Sequence, residues 1–416
     1  MPALATPPPS VRRLLFLMLS YPDVGRDQNM YTDLVQELVR RGCDVKVLCP
    51  AGDGAGVGLH SEGGVAVLRV HTGRLFRVGL VRKGWSNLRL PAQFGRALEP
   101  WLREWRAEWV ITPTPPITLT PLVRRLKQRW GCRSYLILRD IFPQNAVDLG
   151  LLHNGLVLRH LRRLEQQTYA TSDLIGCMSP GNRSYLLRGN SQVKARKVRL
   201  FSNWISPDDD RLRDKTKAKR EVGIDGEFVC LLGGNLGRPQ RVDFFVDVAQ
   251  AVGPDARVRF LVVGDGTERQ WLEREVARRH LNHVTLLPWL DRQHYSKILE
   301  ASDLGVILLH ENFTIPNIPS RLLSYWKAGL PVLAAVNSCT DLAESFLQRH
   351  GAGLTVAMND VAGCATAIRA LRDDPAACER MGRNGRAATE RHYTTRDAAS
   401  RLLEQLASVE SFVSEW

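Results

Sequence analysis

The stretch LLFLMLSYPDVGRDQNMYTDLVQELVRRGCDVKVL, residues 14–48, decides the fold of the first half of the chain. It opens with the apolar run 14–19, which predicts a buried strand. A helical pattern with one apolar face follows from Met30 to Val39 and stops at Gly42. The run Val45 to Leu48 then predicts a second strand. Two strands joined by a helix pair in parallel through a right-handed crossover, so this stretch predicts a parallel sheet.

The same alternation of strand and helix continues along all 416 residues, a length that suits two domains. A polar, charged segment between Ser206 and Arg220 is typical of a linker. We therefore predict an α/β chain of two doubly wound, Rossmann-like domains, 1–204 and 205–394. The final helix, 396–416, is expected to pack back on the first domain, and ligands are expected at the carboxyl ends of the strands in the cleft. The strands predicted after the first two are Val65 to Val70, Trp109 to Ile111, Tyr135 to Leu138, Leu174 to Cys177, Phe228 to Leu232, Arg257 to Val263, Val284 to Leu287, Leu304 to Leu309 and Pro331 to Ala335.

Composition excludes several protein classes. No apolar run reaches the roughly 18 residues of a membrane span, and no cleavage site follows the run 14–19 as it would in a signal peptide. The eight cysteines show no CxxC spacing, so neither zinc nor a disulfide framework is indicated. These features predict a cytoplasmic protein. The excess of 57 Lys+Arg over 43 Asp+Glu, a net charge of +14, predicts an anionic partner: nucleic acid, a phosphate-bearing substrate or an acidic membrane.

Three loops of the second half follow strands and precede helices. In the first, 261–266, a strand runs into Gly-Asp-Gly, which equally suits a bound ligand or a tight turn. In the second, 233–240, the added Arg238 favours a diphosphate over a plain turn. In the third, 316–321, Ser320 is predicted to cap a helix, with or without a phosphate nearby. No GxGxxG follows the first strand and no GxxxxGK[ST] occurs, which argues against dinucleotide and P-loop chemistry.

Four motifs occur in order: RDIFPQNA at 139–146, GNLGRPQ at 234–240, VGDG at 263–266 and PSRLLSYWKAGLPV at 319–332. Together they resemble retaining glycosyltransferase family 4, of GT-B architecture, in which two Rossmann-like domains face each other across a cleft. Within that family the chain is similar to the bacterial O-antigen and exopolysaccharide branch of N-acetylfucosamine transferases. The resemblance extends from Arg13 to about Tyr393.

The resemblance implies a nucleotide-sugar donor, UDP-linked, held by the second domain near loop 264–266 and the turn 288–290. Family members retain anomeric configuration without a protein nucleophile, and no metal or other cofactor is implied. The triplet Asp208 to Asp210 lies in the linker, which argues against a metal-binding DxD. Many members have Arg and Lys where this chain has Asn235 and Gln240. The donor-binding positions implied are Gly25, Asn235, Gly237, Arg238, Gly264, Gly266, Asn317, Ile318, Ser320, Arg321 and Ser324.

One departure from the family pattern affects the donor site. The family's paired glutamates, eight positions apart, fall on Pro316 and Ser324 here. The second glutamate holds the ribose hydroxyls bidentately, whereas a serine offers one weaker contact. Glu311, earlier in the same loop, is a candidate to reach the site instead. Either the grip on the donor is rearranged, which we favour because the arginines and glycines remain, or catalysis is weakened.

Asp140 is the candidate catalytic residue, as a group that orients the acceptor or handles a proton. The family often has a His-Asp pair there, and Arg139 replaces the histidine. An Asp that merely caps the turn before Phe142-Pro143 is an equal alternative.

The basic residues concentrate between Arg74 and Arg133, where thirteen Lys/Arg face three acids. Six aromatic residues outside the predicted strand Trp109 to Ile111 are interleaved with them, a mixture that suits an anionic membrane or single-stranded nucleic acid. No nucleic-acid-binding motif accompanies them, so we expect a membrane partner and no nucleic acid. A solvated helix face is the competing reading. The aromatic residues are Phe76, Trp85, Phe94, Trp101, Trp105 and Trp130.

The sequence thus predicts transfer of a sugar from a nucleotide donor to a lipid-linked saccharide in cell-surface polysaccharide assembly. The enzyme would be peripheral on the inner face of the plasma membrane. Two alternatives remain: a catalytically weakened nucleotide-sugar-binding protein, and a sugar-nucleotide epimerase on the same fold, for which Asp140 is the one obvious catalytic carboxylate in the cleft.

Overall fold

The computed structural model describes residues 13–22, 28–52, 56–73, 75, 79–207, 214–224, 226–254 and 257–409. Within these ranges the chain forms two sheets, each flanked by helices on both faces, and neighbouring strands are parallel except for one pair. The prediction of two doubly wound α/β domains is therefore confirmed. No helix in the described ranges is both long and apolar enough to cross a membrane.

The N-terminal sheet has eight strands in the order β3-β4-β2-β1-β5-β6-β7-β8. Its centre is the strand–helix–strand unit of residues 14–48, in which Leu14 pairs with Val45 on one side and Trp109 on the other. The strands are β1 (Arg13–Leu17), β2 (Asp44–Pro50), β3 (Gly58–Glu62), β4 (Val65–Val70), β5 (Trp109–Pro113), β6 (Arg133–Leu138), β7 (Leu174–Cys177) and β8 (Val198–Leu200).

Helices cover both faces of this sheet. The first helix begins at Asn29, whose side chain accepts hydrogen bonds from the amides of Tyr31 and Thr32. On the other face α2, α4 and α6 pack side by side. The helices are α1 (Met30–Arg40), α2 (Leu80–Leu98), α3 (Trp101–Glu104), α4 (Thr120–Trp130), α5 (Gln144–Asp148), α6 (Gly155–Thr171) and α7 (Pro180–Gly189), with 3-10 turns at Ile117–Leu119 and Ala195–Lys197.

The C-terminal sheet has six strands in the order β11-β10-β9-β12-β13-β14, all parallel. Strands β12 and β13 are buried along their whole length, as central strands covered on both faces must be. The strands are β9 (Phe228–Gly233), β10 (Val258–Val263), β11 (Val284–Leu287), β12 (Leu304–Leu308), β13 (Val332–Val336) and β14 (Gly353–Ala357).

Helices flank this second sheet as well. They are α8 (Lys215–Glu221), α9 (Val242–Val252), α10 (Arg269–Arg278), α11 (Arg292–Glu300), α12 (Arg321–Lys327), α13 (Val361–Asp373), α14 (Pro375–His392) and α15 (Thr395–Ala407), with a 3-10 turn at Arg238–Gln240 and a π-helical segment at Ala343–Gln348.

The last helix, α15, packs on the first domain. Its apolar residues, among them Leu402 and Leu406, join the core cluster of the N-terminal sheet. At the rim, Arg41 at the end of α1 donates to the hydroxyl of Ser400, and the Tyr135 hydroxyl donates to Gln405 at 2.6 Å. The chain therefore crosses from the first domain to the second and back again.

Three strands were not predicted. Strand β3 has no apolar run to signal it, because it is a short, polar edge strand that pairs antiparallel with β4 and alternates between half-buried and exposed residues. Strand β8 has only three residues. Strand β14 lies at one edge of the second sheet, next to β13. It is half-buried and contains Gly353.

The interleaved aromatic residues of the basic stretch are mostly packed inside the first domain. Phe94 and Trp101 are buried. Trp105 donates its indole N–H to Asp44 and stacks edge-to-face with Trp130. Of these aromatic residues that the structure describes, Trp85 alone is largely exposed. The six residues therefore do not form one exposed aromatic surface.

Candidate functional site

The carboxyl edge of the C-terminal sheet brings the three predicted loops together. Strands β10, β9 and β12 are neighbours in that order, so the segments that follow them lie side by side. Loop 264–268 follows β10, loop 234–241 follows β9, and loop 309–320 follows β12. Because parallel strands end at one edge, residues distant in sequence meet in a single depression.

The first two loops interlock through their backbones. The amide of Gly234 donates to the carbonyl of Val263, and the amide of Leu236 donates to Asp265, each at 2.9 Å. A Cβ on Gly264 would lie 1.9 Å from the Gly234 carbonyl oxygen, and one on Gly266 would lie 2.4 Å from that of Leu236. Glycine at 264 and 266 is thus required by backbone contact, beyond what a tight turn alone would need.

Arg321 lies against the glycine loop. Its guanidinium carbon is 3.6 Å from where a Cβ of Gly234 would stand, although the two residues are far apart in sequence. Its Nη1 is buried without a hydrogen-bond partner among the described residues. A cation held beside exposed backbone of Gly234 and Asn235 is suited to an anionic ligand.

Two tyrosines support the glycine loop from below. The Tyr325 hydroxyl accepts from the Gly233 amide at 3.0 Å and lies 3.2 Å from the Leu231 carbonyl. The Tyr295 hydroxyl fills the space where a side chain at 233 would stand. Burial raises the pKa of both hydroxyls, and Arg321 only partly offsets it. Both therefore remain neutral and act as fixed dipoles under the loop.

The remaining residues of the 234–241 loop differ in how strongly they are held. Asn235 and Arg238 are exposed at the edge of the depression. Gly237 has extended backbone, and its amide donates to Gln240 at 3.2 Å. A side chain at 237 would come within 3.1 Å of the Asn235 amide and 3.5 Å of Gln240 and the Pro239 ring, so the geometry demands glycine there less than at 264.

The third loop differs from its prediction at one position. Ser320 precedes α12, but its backbone is helical and its side chain makes no capping hydrogen bond, because the first turn is closed by the carbonyls of Pro319 and Ser320 themselves. Its hydroxyl is exposed. Ser324, one turn later, is half-buried and makes no side-chain hydrogen bond in the described part of the chain.

Two other residues of that loop are fixed by their main chains. Ile318 is buried, and its carbonyl accepts from Asn203. The Asn317 carbonyl accepts from Thr340 at 3.0 Å. The loop is therefore anchored at 317 and 318, and the half-buried Asn317 side chain is left for a ligand.

Glu311 does not fill the place of the family's glutamates. Its carboxylate is paired with Arg241 and lies 3.4 Å from the His310 ring. Burial lowers the pKa of His310, although Glu311 opposes the shift. This ion pair argues against Glu311 as the group that reaches the donor. Pro316 is buried and offers only its carbonyl, which accepts from Asn182.

Trp289 lies next to the depression on the turn after β11. Strand β11 pairs with β10, so this turn adjoins loop 264–266. The indole is exposed, one of few large apolar side chains in the second domain that are. It offers a flat apolar surface at the end of the loop.

Across the cleft, the loop after β6 contains Arg139 and Asp140, both half-buried. Arg139 stacks over Trp204 at 4.7 Å and donates to the side chain of Asn203 at 2.6 Å. The Tyr31 hydroxyl faces both: burial raises its pKa, Arg139 lowers it and Asp140 raises it. The Tyr31 hydroxyl thus lies near both Arg139 and Asp140. Gly25 lies outside the described residues.

Asn203 connects the two sides of the cleft. Its Oδ1 accepts from Arg139 and its Nδ2 donates to the Ile318 carbonyl at 2.8 Å. Further contacts join the domains nearby: Asp341 accepts from Ser179 and from the Gly181 amide. The Asp140 loop is consequently held opposite loop 309–320.

Sequence reasoning did not single out Asn203, Tyr295 or Tyr325 as parts of the site. Tyr325 lies inside the 319–332 motif, one residue after Ser324, which was its available signal. Asn203 and Tyr295 lie in no motif. Their roles depend on contacts between distant segments, which local patterns do not report.

Among the residues that the structure describes, no group of three or more His, Cys, Asp or Glu side chains is arranged to hold a metal ion. The triplet Asp208 to Asp210 lies outside those residues.

Known proteins resemble the chain in both domains. Residues 28–204 match the glycosyl transferase 4-like domain, and residues 227–374 match the glycosyl transferases group 1 domain. The probable glycosyltransferase WbjE of Pseudomonas aeruginosa is 25% identical over 276 residues, which are 63% of this chain and 66%, just under two thirds, of that protein.

Solved structures show the same fold. Sucrose-phosphate synthase of Thermosynechococcus elongatus superposes with a TM-score of 0.78 at 18% identity, over 96% of this chain and all (100%) of the other. HepE of Anabaena, in complex with UDP-glucose, gives a TM-score of 0.70 at 16% identity, over 95% of this chain and 99% of the other. Both domains match glycosyltransferase families and the two Rossmann-like sheets have the GT-B fold, which together support a GT-B glycosyltransferase.

Proposed function

We propose that this protein is a retaining glycosyltransferase that moves a sugar from a UDP-linked donor to a lipid-linked saccharide in cell-surface polysaccharide assembly. It would work at the inner face of the plasma membrane. One observation carries the proposal: the buried, unpartnered Nη1 of Arg321 beside the interlocked glycine loops, opposite Asp140. The match to WbjE and the UDP-glucose complex of HepE support a nucleotide-sugar donor.

The depression suits the donor's diphosphate. The exposed residues Gly234 and Asn235 border it, Arg321 lies beside it, and the exposed Arg238 can fold over it. In transfer, negative charge builds up on the departing diphosphate as the sugar–oxygen bond breaks. A fixed guanidinium near that charge stabilises the transition state more than the ground state, because little reorganisation is needed.

The ribose and base would be held differently from the family pattern. Ser324 replaces a glutamate, and its hydroxyl, which bonds to nothing in the described chain, can accept or donate one hydrogen bond to a ribose hydroxyl. The exposed indole of Trp289 then offers a stacking surface for the base. In this proposal the donor is bound differently from the family pattern. Stacking of the base on Trp289 replaces part of the bidentate contact between a glutamate and the ribose.

Asp140 would orient the acceptor in the cleft. A retaining transfer on one face of the sugar needs no protein nucleophile, since an oxygen of the leaving diphosphate takes the acceptor's proton. Arg139, held in place by Trp204 and Asn203, puts a fixed positive charge in the same loop as Asp140. The retaining outcome is part of the proposal.

A panel of nucleotide sugars tests the proposal. Each is incubated with the protein, and mass spectrometry and proton NMR follow release of nucleotide, formation of an epimer, and the anomeric configuration of any product. A transferase slowly hydrolyses its own donor and retains configuration. An epimerase returns an isomerised nucleotide sugar without release. A weakened binding protein binds a nucleotide sugar and changes none, and either of these last results contradicts the proposal.

A further inference from the structure

The helices α2, α4 and α6 form one layer with an extreme charge. They pack side by side on one face of the N-terminal sheet, with the 3-10 turn Ile117–Leu119 between α2 and α6. Their sequences contain eleven Lys and Arg and a single acid, Glu165. Glu165 is buried and paired with Arg162, so it contributes no negative charge to the surface. Two acids at the helix ends, Glu99 and Asp173, pair with cations of the layer. The layer still carries more cations than acids, within a chain of net charge +14.

Apolar side chains stand exposed at the starts of two of these helices. On α2, Trp85 is 64% exposed and Leu88, one turn later, is 54% exposed. On α6, Leu156 is 78% exposed and Val157 is 46% exposed. Leu151, just before α6, is exposed as well. Such a concentration of exposed apolar residues within one basic layer differs from the scattered single residues that ordinary surfaces carry.

The start of α6 is nevertheless well-defined helix. The Asn154 side chain accepts from the amides of Leu156 and Val157, so the first turn is capped from within. Arg159 and Arg163 follow one and two turns after Leu156, and both are exposed. The helix therefore presents apolar residues at its tip and cations behind them, the arrangement of an interfacial membrane helix.

The exposed ends lie on the cleft side of the domain. Helix α6 ends just before β7 begins, so its start lies at the carboxyl edge of the sheet. Its 17 residues span about 25 Å, whereas the four residues of β7 span about 13 Å. Helix α6 therefore projects beyond the carboxyl edge. Helix α2 follows β4 and starts at the same edge, as does the loop that contains Asp140.

We propose that the starts of α2 and α6 form a membrane-docking surface, defined by Trp85, Leu88, Leu151, Leu156 and Val157, for an anionic phospholipid bilayer. The apolar tips insert at the headgroup boundary while the basic layer faces lipid phosphates. The inference rests on the proposed function, since it explains how a lipid-linked acceptor reaches Asp140 without leaving the membrane. Charge favours an anionic occupant. Acids pair with Arg125, Arg129, Lys127 and Arg162. The cations left exposed to face lipid phosphates include Arg89, Arg96, Arg124, Arg159 and Arg163.

Vesicle co-sedimentation tests the proposal with the full chain. Phosphatidylglycerol-containing vesicles are compared with pure phosphatidylcholine, using wild type, a Leu156→Glu/Val157→Glu double variant and a Leu200→Glu control. Leu200 is also exposed but lies on β8, outside the three helices. Because the altered side chains are exposed, the variants should keep the wild-type melting temperature.

We expect wild type and Leu200→Glu to bind the anionic vesicles, and the double variant to bind them at least about tenfold less, since two inserted apolar groups are replaced by charges that the lipid phosphates repel. Binding should also fall several-fold as salt shortens the screening length to about 3 Å at 1 M. Equal binding of wild type and the double variant, or no vesicle binding at all, overturns the docking surface.

The donor-panel assay, run in solution without vesicles, separates this inference from the proposed function. Transfer or donor hydrolysis by a protein that ignores vesicles refutes the docking surface and leaves the function standing. If the protein binds vesicles through Leu156 and Val157 but acts on no donor, the docking surface stands and the proposed function is refuted.

Discussion

Replacing Gly264 by alanine would push the two interlocked loops apart. The new Cβ would stand 1.9 Å from the Gly234 carbonyl oxygen and 2.9 Å from its carbon. A carbon and an oxygen in contact need about 3.3 Å. One loop must therefore move by about 1.4 Å relative to the other. Both groups in conflict are backbone, so no side-chain rotation relieves it.

Two costs follow from Gly264→Ala. Its φ of 145° is a conformation that an alanine adopts only under strain, of about 1–3 kcal/mol. Moving the loop by more than 1 Å displaces Gly234 from Arg321, and misplacement of this size costs roughly 100-fold in rate. We expect Gly264→Ala to lower the free energy of unfolding by about 2–3 kcal/mol and to weaken UDP binding and turnover by roughly 100-fold.

Gly253→Ala is the matched control. Gly253 also has a positive φ, 78°, but a side chain there meets nothing within 4 Å. It should cost about 1 kcal/mol in unfolding and leave UDP binding unchanged. Urea unfolding and calorimetric titration with UDP compare the two variants. If Gly264→Ala binds UDP as tightly as Gly253→Ala, the glycine loops are not the diphosphate site.

Three further predictions concern the rest of the chain. Ser324→Glu should reduce transferase activity strongly, because the pocket is adapted to serine; unchanged or higher activity in the donor assay would contradict the rearranged grip. Asn203→Ala should lower stability by about 1–3 kcal/mol, since the buried Ile318 carbonyl loses its donor, and should raise the donor KM, whereas Asn190→Ala, which loses a similar bond on α7 away from the cleft, should leave KM unchanged. A thiol reagent should label one cysteine of the native protein, Cys339, because the other seven are buried. Burial raises the pKa of Cys49 and Cys132 to about 12. Unfolded thiols ionise near pH 8.5, so stability should fall as pH rises above about 9; labelling of several cysteines at neutral pH would argue against this packing.

Most of the fold could be predicted because its strands are buried on both faces. Val65–Val70 and Leu174–Cys177 were predicted with their observed bounds, since short runs that are largely apolar and end at turns leave little ambiguity. Strand β3 could not be predicted, because an exposed edge strand carries no apolar run. The packing of Trp101 and Trp105 around Lys46 could not be predicted either, because periodicity does not report contacts between distant segments.

The glycine turns of the candidate site could be predicted from the sequence, whereas the contacts of its side chains could not. The turn 264–266 is visible in sequence, but its contact with Gly234 and Leu236 depends on strand order. Ser320 has the composition of a helix cap, yet the observed first turn does not use it. Glu311 was a reasonable substitute until the position of Arg241 was known. Patterns report local conformation, whereas pairings between segments come only from the tertiary structure.

The most direct test of the donor site is a calorimetric titration of Arg321→Met with UDP, beside Arg278→Met. Arg278 is an exposed arginine on α10 whose partner, Glu275, is also held by Arg279. Loss of one charge-assisted contact to a diphosphate should weaken UDP binding by roughly 10- to 100-fold in Arg321→Met, while Arg278→Met should bind as wild type does. Equal affinity in all three proteins would contradict the assignment of Arg321 and the glycine loops to a nucleotide-sugar donor.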